Sequence, residues 1–135
     1  MKAWVLRWGP AALIMAVIFI ASAIPGSDLP EFGGLDVFAK KGGHMLGYAL
    51  LAIAYFRALN NGKNTTRSQF LIAACLAGLY AISDEFHQSY VPGRNASPWD
   101  ICIDVIGGIV GLALWCLVRA RFKDWHKAVG PCVIA

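Results

Sequence analysis

The chain has 135 residues, of which 58% are hydrophobic and 15% charged, a balance outside the range of ordinary soluble domains. This length favours a single domain over residues 1–135, and the composition argues against a soluble helical bundle, whose helices would show a polar face. The net charge of +4 does not indicate nucleic-acid binding, because the basic residues are spread over separate segments instead of forming one stripe.

Four apolar segments follow one another along the chain, at residues 8–24, 45–59, 70–82 and 101–118. Each approaches the roughly 20 residues that cross about 30 Å of hydrocarbon once its polar flanks are included. The sequence therefore predicts an all-α, polytopic membrane bundle of four transmembrane helices. The first segment also fits a cleaved signal peptide, since Lys2 and Arg7 precede it and it contains Ala21-Ser22-Ala23.

Basic residues are distributed unevenly among the regions that flank these segments. Nine of the twelve Lys and Arg residues lie before the first segment, between the second and third, or after the fourth. Lys40, Lys41 and Arg94 share the opposite side with most of the acidic residues. Because cytoplasmic loops carry the excess of Lys and Arg, we expect both termini to be cytoplasmic in a multi-pass protein of the cell's inner (cytoplasmic) membrane.

The second segment is preceded by Lys41 and His44 and contains Tyr48, at positions i, i+3 and i+7. These positions lie within a narrow arc of a helix with 3.6 residues per turn, so the three side chains form one polar line descending from the outer surface. Taken singly, Lys41 could snorkel to the interface and Tyr48 could belong to an aromatic belt. Their alignment makes them candidate site residues.

Residues 83–100, SDEFHQSYVPGRNASPWD, gather hydrogen-bonding groups between the third and fourth segments. The candidate site residues here are Asp84, Glu85, Gln88, Arg94 and Asp100. Ser97 and Pro98 have the features of a helix start, and Asp100 falls where the acid of a capping box would lie. His87 is expected to point away from Gln88 as an ordinary interfacial His.

Asp104 is the strongest candidate, because it lies a full turn inside an apolar helix, where a carboxylate is costly and usually functional. It shares a helix face with Gly107 and Gly111, a G-x-x-x-G surface suited to close helix contact in lipid. The third segment has a similar stripe of small residues, Ala74, Ala77 and Ala81. We expect the two stripes to pack together and to bring the polar residues at their ends to one point.

These residues also form an extended motif. It reads Lys41-x-x-His44-x-x-x-Tyr48, then Asp84-Glu85-x-x-Gln88-x-x-x-Pro92-Gly93-Arg94-x-x-Ser97-x-x-Asp100, and then Asp104-x-x-Gly107-x-x-x-Gly111. The motif resembles the VanZ-like family of small integral membrane proteins, over about residues 36–118. Two positions depart from the family pattern: Lys40 stands where an Asp is usual, and Asp104 where an Asn is usual. The resemblance implies an association with resistance to glycopeptide antibiotics of the teicoplanin type.

Three functions fit such a cluster. A binding protein would hold a lipid headgroup or a lipid-linked cell-wall precursor, with phosphate on Lys41 and Arg94 and further contacts from Tyr48, Gln88 and Asp100. An intramembrane hydrolase or transferase would use His44 or Glu85 as base, with Asp84 and Asp104 orienting their partners. A purely structural network would only lock the helices together.

Neither a cofactor nor a metal is predicted, because no spacing of His, Cys, Asp or Glu demands a metal. The predicted partner is a membrane lipid or a lipid-linked precursor and not a nucleic acid. The sequence leaves open whether the site is catalytic, whether its carboxylates and His hold a divalent metal, what its substrate is, and how many copies of the chain associate.

Overall fold

The computed structural model describes residues 2–28, 36–60 and 66–129, and within these ranges the chain is all-α, as predicted. Four α-helices follow one another in the described residues: α1 (Lys2–Ser22), α2 (Asp36–Asn60), α3 (Arg67–Gln88) and α4 (Pro98–Val129). A short 3-10 turn at Gly26–Asp28 follows α1. Each helix begins before its predicted apolar segment, since polar flanking residues join its first turns.

Three of the helices are long and apolar enough to cross a membrane: α1, α3, and α4 as far as Phe122. Helix α2 has 25 residues, about 37 Å at the α-helical rise, but its first half carries Lys40, Lys41 and several glycines. It packs against each of the other three helices, and Tyr48 and Phe56 are fully buried. Because the other helices cover much of α2, less of its surface is left to face lipid. Its side chains can therefore be less apolar than those of its neighbours.

Successive helices run in opposite directions. Ser22 at the end of α1 contacts Asp84 near the end of α3, and Arg7 at the start of α1 donates to the carbonyl of Ala58 near the end of α2. Because successive helices alternate in direction, α2 and α4 are parallel to each other. The start of α1 and the end of α4 lie at the same end of the bundle, opposite the starts of α2 and α4.

The glycine stripe of α4 is predicted to pack against α3. In the structure it packs against α2 instead. A Cβ added to Gly107 would lie 2.6 Å from the carbonyl oxygen of Met45, and one added to Gly111 would lie 2.6 Å from the Cβ of Ala49. The small residues of α3 instead meet α4 beside this stripe, where Ala77 faces Gly108. The prediction of close contact is confirmed, but the predicted partner helix is wrong.

The outward surface of the bundle is apolar. Large hydrophobic side chains are exposed along α1, α3 and α4, among them Leu13, Ile20, Leu71, Leu79, Ile106, Leu114 and Leu117. Cys75 and Cys102 are also exposed, while Cys116 is half-buried. Cys132 lies outside the described residues. Extended apolar surface of this kind is a feature of membrane contact.

Candidate functional site

One end of the bundle holds most of the polar side chains singled out in the sequence. The ends of α1 and α3 and the starts of α2 and α4 meet there around a cavity of about 360 Å³. Its lining consists of Gly26, Lys40, Lys41, His44, Glu85, Gln88, Gly93, Arg94, Asn95, Asp100, Ile103 and Asp104. This cavity combines acidic and basic side chains within an otherwise apolar bundle, which makes it the candidate functional site.

Asp84 lies behind the cavity wall in a buried network. Its Oδ2 accepts hydrogen bonds from the Oγ of Ser22, at 2.8 Å, and from the Nε2 of Gln88, at 3.0 Å. Gln88 Nε2 also lies 3.2 Å from Ser22 Oγ, as a donor to it. All three side chains are buried, so this network joins α1 to α3 and fixes Gln88 at the cavity wall.

His44 stands on the cavity wall in front of a buried carboxylate. Its Nδ1 lies 3.6 Å from the Oδ2 of Asp104, whose side chain is only 3% exposed, whereas that of His44 is 24% exposed. The ring of His44 stacks on Tyr48 with 6.4 Å between centroids. The carboxylate of Asp104 can therefore orient the imidazole while the other edge of the ring remains available to the cavity.

Tyr48 lies beneath this pair and does not line the cavity. It is fully buried, and its hydroxyl makes no hydrogen bond to any part of the chain that the structure describes. The Oδ1 of Asp84 is likewise buried without a hydrogen bond among the described residues. The predicted line of Lys41, His44 and Tyr48 thus descends from the cavity into the helix core.

Two acidic residues hold the start of α4 in an arrangement that differs from the predicted one. Ser97 caps the helix, with its Oγ accepting from the backbone N–H of Trp99. The backbone N–H of Ser97 donates to the Oε1 of Glu85 at 2.6 Å. The capping-box prediction gives this acceptor role to Asp100. Asp100 instead accepts from the Nζ of Lys41 at 2.6 Å. Glu85 therefore links α3 to α4, and Asp100 links α4 to α2.

Arg94 is positioned by a tight turn and binds the end of α1. The N–H of Arg94 donates to the carbonyl of Val91, and Gly93 has φ +72°, which fits a type II turn with Pro92 and Gly93 at its centre. The guanidinium donates to the carbonyl oxygens of Ala21, at 2.9 Å, and Ile24, at 3.2 Å. A guanidinium is well suited to cap the unpaired carbonyls of a helix end.

Lys40 is the cation of this site that the motif did not single out. It lines the cavity and is exposed, and within the described residues it has neither an ion pair nor a hydrogen bond. Arg94 binds backbone carbonyls but pairs with no carboxylate in the same part of the chain. Among the residues that the structure describes, no acid therefore pairs with Lys40 or Arg94, whereas Asp100 pairs with Lys41.

Most of the predicted site residues line one cavity: Lys41, His44, Glu85, Gln88, Arg94, Asp100 and Asp104. Asp84 and Tyr48 lie behind it. Sequence reasoning did not assign Ser22 or Lys40 to the site. The available signal for Ser22 was that it is the one polar residue in the apolar segment 8–24. Among the described residues, no group of three or more His, Cys, Asp and Glu is arranged to hold a metal ion.

His87 differs from its expected role as a solvated residue. Its ring stacks on Phe19 of α1 with 4.4 Å between centroids, and its Nε2 is buried without a hydrogen-bond partner in the described chain. Its side chain is directed toward the neighbouring helix α1. His87 thus contributes to the α1–α3 contact outside the cavity.

Fold and site together define a small all-α membrane protein with apolar outer faces and a polar cavity at one end. The chain belongs to the VanZ/LLP1 family, whose family model matches residues 8–119, most of its length. No curated protein and no solved structure gives a significant match.

Proposed function

We propose that this protein is a four-span protein of the cytoplasmic membrane whose cavity faces outward and binds the headgroup of a lipid or of a lipid-linked cell-wall precursor. The observation that carries the proposal is the cavity itself, a charged space of about 360 Å³ in an apolar bundle. Both described ends of the chain lie at the opposite end of the bundle. If those basic termini are cytoplasmic, the cavity opens at the outer face.

The charges around the cavity favour an anionic ligand. Lys41 is neutralised by Asp100, and Glu85 accepts from the backbone of Ser97. Lys40 and Arg94 remain as cations without a carboxylate partner in the described residues. Cationic side chains at the edge of an apolar environment attract phosphate groups, and phosphate is the common anion of membrane lipids.

Lipid binding is tested by purification in neutral detergent and native mass spectrometry of the lipids that remain bound. Lys40→Gln removes a cation that makes neither an ion pair nor a hydrogen bond with the described residues, and Arg119→Gln removes an exposed cation at the opposite end. We expect anionic lipid to be retained by the wild type and by Arg119→Gln and to be depleted in Lys40→Gln. Equal retention by all three would contradict the proposal.

A second candidate function is hydrolysis or group transfer on a lipid-linked substrate. The observation that favours it is His44, partly exposed on the cavity wall and 3.6 Å from the buried Asp104 carboxylate. A His oriented by a carboxylate can act as a general base toward a group placed at its free edge. Gln88 and Arg94 would then bind the substrate or stabilise developing negative charge.

Catalysis is tested by incubating the purified protein with polyprenyl phosphates and phospholipids and analysing the lipids by mass spectrometry. An enzyme predicts a product that disappears in His44→Gln and Asp104→Asn while the melting temperature changes little. If these variants lower only the melting temperature and no product forms with the wild type, the polar residues act as a structural network.

The family resemblance extends the proposal to resistance against teicoplanin-type antibiotics, which carry a lipid tail and act where cell-wall precursors are exposed. Cells expressing the wild type are expected to tolerate more teicoplanin than cells expressing Lys41→Ala, His44→Ala, Glu85→Ala or Arg94→Ala at equal protein levels. Unchanged susceptibility in all of these strains would separate the cavity from any resistance role.

A further inference from the structure

An apolar groove lies directly beside the polar cavity. It runs between α1 and α2, has a volume of about 330 Å³, and is lined by Val17, Ile18, Ala21, Ile24, Gly43 and Gly47. Lys40, His44 and Arg94 line both the groove and the cavity. The two spaces therefore meet at a boundary where the charged side chains are concentrated.

The groove exists because α2 lacks side chains on this face. A Cβ added to Gly43 would meet no other atom within 4 Å, and one added to Gly47 would only touch Ile18, at 3.4 Å. On the opposite wall Val17 is 57% exposed and Ile24 is 38% exposed. Two glycines at a spacing of one helical turn thus leave an uncovered apolar channel along α1.

The boundary between groove and cavity is cationic on the groove side. Lys40 has no ion-pair partner within the described residues, and the Arg94 guanidinium donates to the carbonyl oxygens of Ala21 and Ile24. The acidic residues Glu85, Asp100 and Asp104 line the cavity but not the groove. Polarity therefore changes in a fixed order, from a cavity lined by both acidic and basic side chains, through a cationic boundary, to an apolar groove.

We propose that the ligand is a membrane lipid with a phosphate-type headgroup, its phosphate at Lys40 and Arg94, its hydrocarbon chain in the α1–α2 groove, and the remainder of its headgroup in the cavity. This inference rests on the proposed function and adds the position of the chain. Each space has the volume of a pocket for a ligand of moderate size, at the lower end of about 300–1,000 Å³. The order of polarity matches that of an amphiphile and not that of a free anion.

The chain position is tested with phosphatidic acid that carries a photoreactive diazirine in the middle of one acyl chain. After irradiation with the purified protein in neutral detergent, mass spectrometry identifies the labelled peptides. We expect labelling within residues 17–24 and 43–47, suppressed by excess unlabelled phosphatidic acid but not by glycerol 3-phosphate.

Gly43→Leu and Gly42→Leu form a matched pair of variants. Both glycines lie in α2, and an added Cβ has free space at each, but only Gly43 lines the groove. We expect Gly43→Leu to reduce labelling of the groove several-fold and Gly42→Leu to leave it unchanged. Helix content by circular dichroism and elution volume verify that both variants fold.

The outcomes distinguish failure of this inference from failure of the proposed function. If labelling and competition depend on Lys40 but Gly43→Leu behaves like Gly42→Leu, the headgroup site stands and the groove is not occupied. Complete competition by glycerol 3-phosphate would also overturn the groove, since the chain would then contribute nothing. If Lys40→Gln labels like the wild type and phosphatidic acid does not compete, both proposals fail.

Discussion

Gly26 and Gly93 bring the two turns at the cavity end of the bundle into direct backbone contact. Gly26 N–H donates to the carbonyl of Pro92 at 2.9 Å, and a Cβ on Gly26 would lie 2.1 Å from the carbonyl oxygen of Gly93. Since that neighbour is backbone, it cannot rotate away. The contact holds the turn that carries Arg94 against the end of α1.

Gly26→Ala is therefore expected to destabilise the protein by about 1–3 kcal/mol, the usual cost of overpacking. Gly42→Ala is the control, because its Cβ has free space and Ala is favoured over Gly within a helix by up to about 1 kcal/mol. The measurement is the thermal unfolding midpoint in detergent. A midpoint for Gly26→Ala at or above that of the wild type would mean that the two turns are not in contact.

Glu85 combines a structural and a candidate functional role that two substitutions can separate. Its Oε1 accepts the N–H of Ser97 at the start of α4, and a Gln side-chain oxygen can accept the same bond. We expect Glu85→Ala to lose about 0.5–2 kcal/mol, as for other lost helix caps, and Glu85→Gln to lose less. If the carboxylate charge serves the ligand, both variants lose lipid binding or turnover, so stability and function would respond differently to Glu85→Gln.

At the level of single residues, the sequence predicted which side chains lie at the candidate site better than it predicted which groups they pair with. The family pattern usually has an Asp directly before Lys41, where this chain has Lys40, yet Lys41 pairs with the carboxylate of Asp100 in α4. Arg94 is predicted to hold phosphate, and the structure shows that its guanidinium also donates to the carbonyl oxygens of Ala21 and Ile24. Such pairings depend on which helix ends meet, and this is decided by packing between segments that are distant in sequence.

Helices α2 and α4 make the most extensive contact among the described helices, through glycines that have no room for a side chain. Gly111→Ala would place a Cβ 2.6 Å from that of Ala49, so we expect a destabilisation of about 1–3 kcal/mol. Gly78→Ala on α3 is the matched control, because its Cβ would lie 3.5 Å from a side-chain carbon of Val105, an ordinary contact.

The same contact allows a rescue experiment. Ala49→Gly removes the nearest atom against which the new side chain collides but leaves the Cα of residue 49 at 2.9 Å, so adding it to Gly111→Ala should recover part of the lost unfolding midpoint. Ala49→Gly alone is expected to be mildly destabilising, owing to the poor helix propensity of Gly. If the double variant is merely the sum of the two single ones, residues 49 and 111 do not touch.

At the level of helices, the spacing of small residues predicted a close-packed face but not the helix it packs against. Helix α2 also has small residues, including Gly47, Ala49 and Ala52. Because its first turns are polar, the sequence did not indicate that it is the helix packed against all three others. The contribution of α1 to the site was missed for a similar reason. A single Ser22 in an apolar segment carries little signal until the structure places it 2.8 Å from Asp84.

The arrangement of the whole molecule links the position of its charges to the direction in which the cavity opens. Consecutive helices alternate in direction, so the cavity and the two described chain ends lie at opposite ends of the bundle. The basic residues near those ends, such as Lys2 and Arg119, favour the cytoplasmic side. A ligand from the outer leaflet can enter the cavity only if the cavity faces outward, which is the orientation that this charge bias predicts.

Single cysteines report this orientation in a variant in which Cys75, Cys102, Cys116 and Cys132 are replaced by Ser. Ala96→Cys introduces an exposed thiol beside the cavity, and Ser68→Cys introduces one at the opposite end, at the start of α3. In intact cells, a maleimide that does not cross membranes should label Ala96→Cys, and it should label Ser68→Cys only after permeabilisation. The reverse pattern would place the cavity on the cytoplasmic side, where a cell-wall precursor could reach it only before export to the outer leaflet.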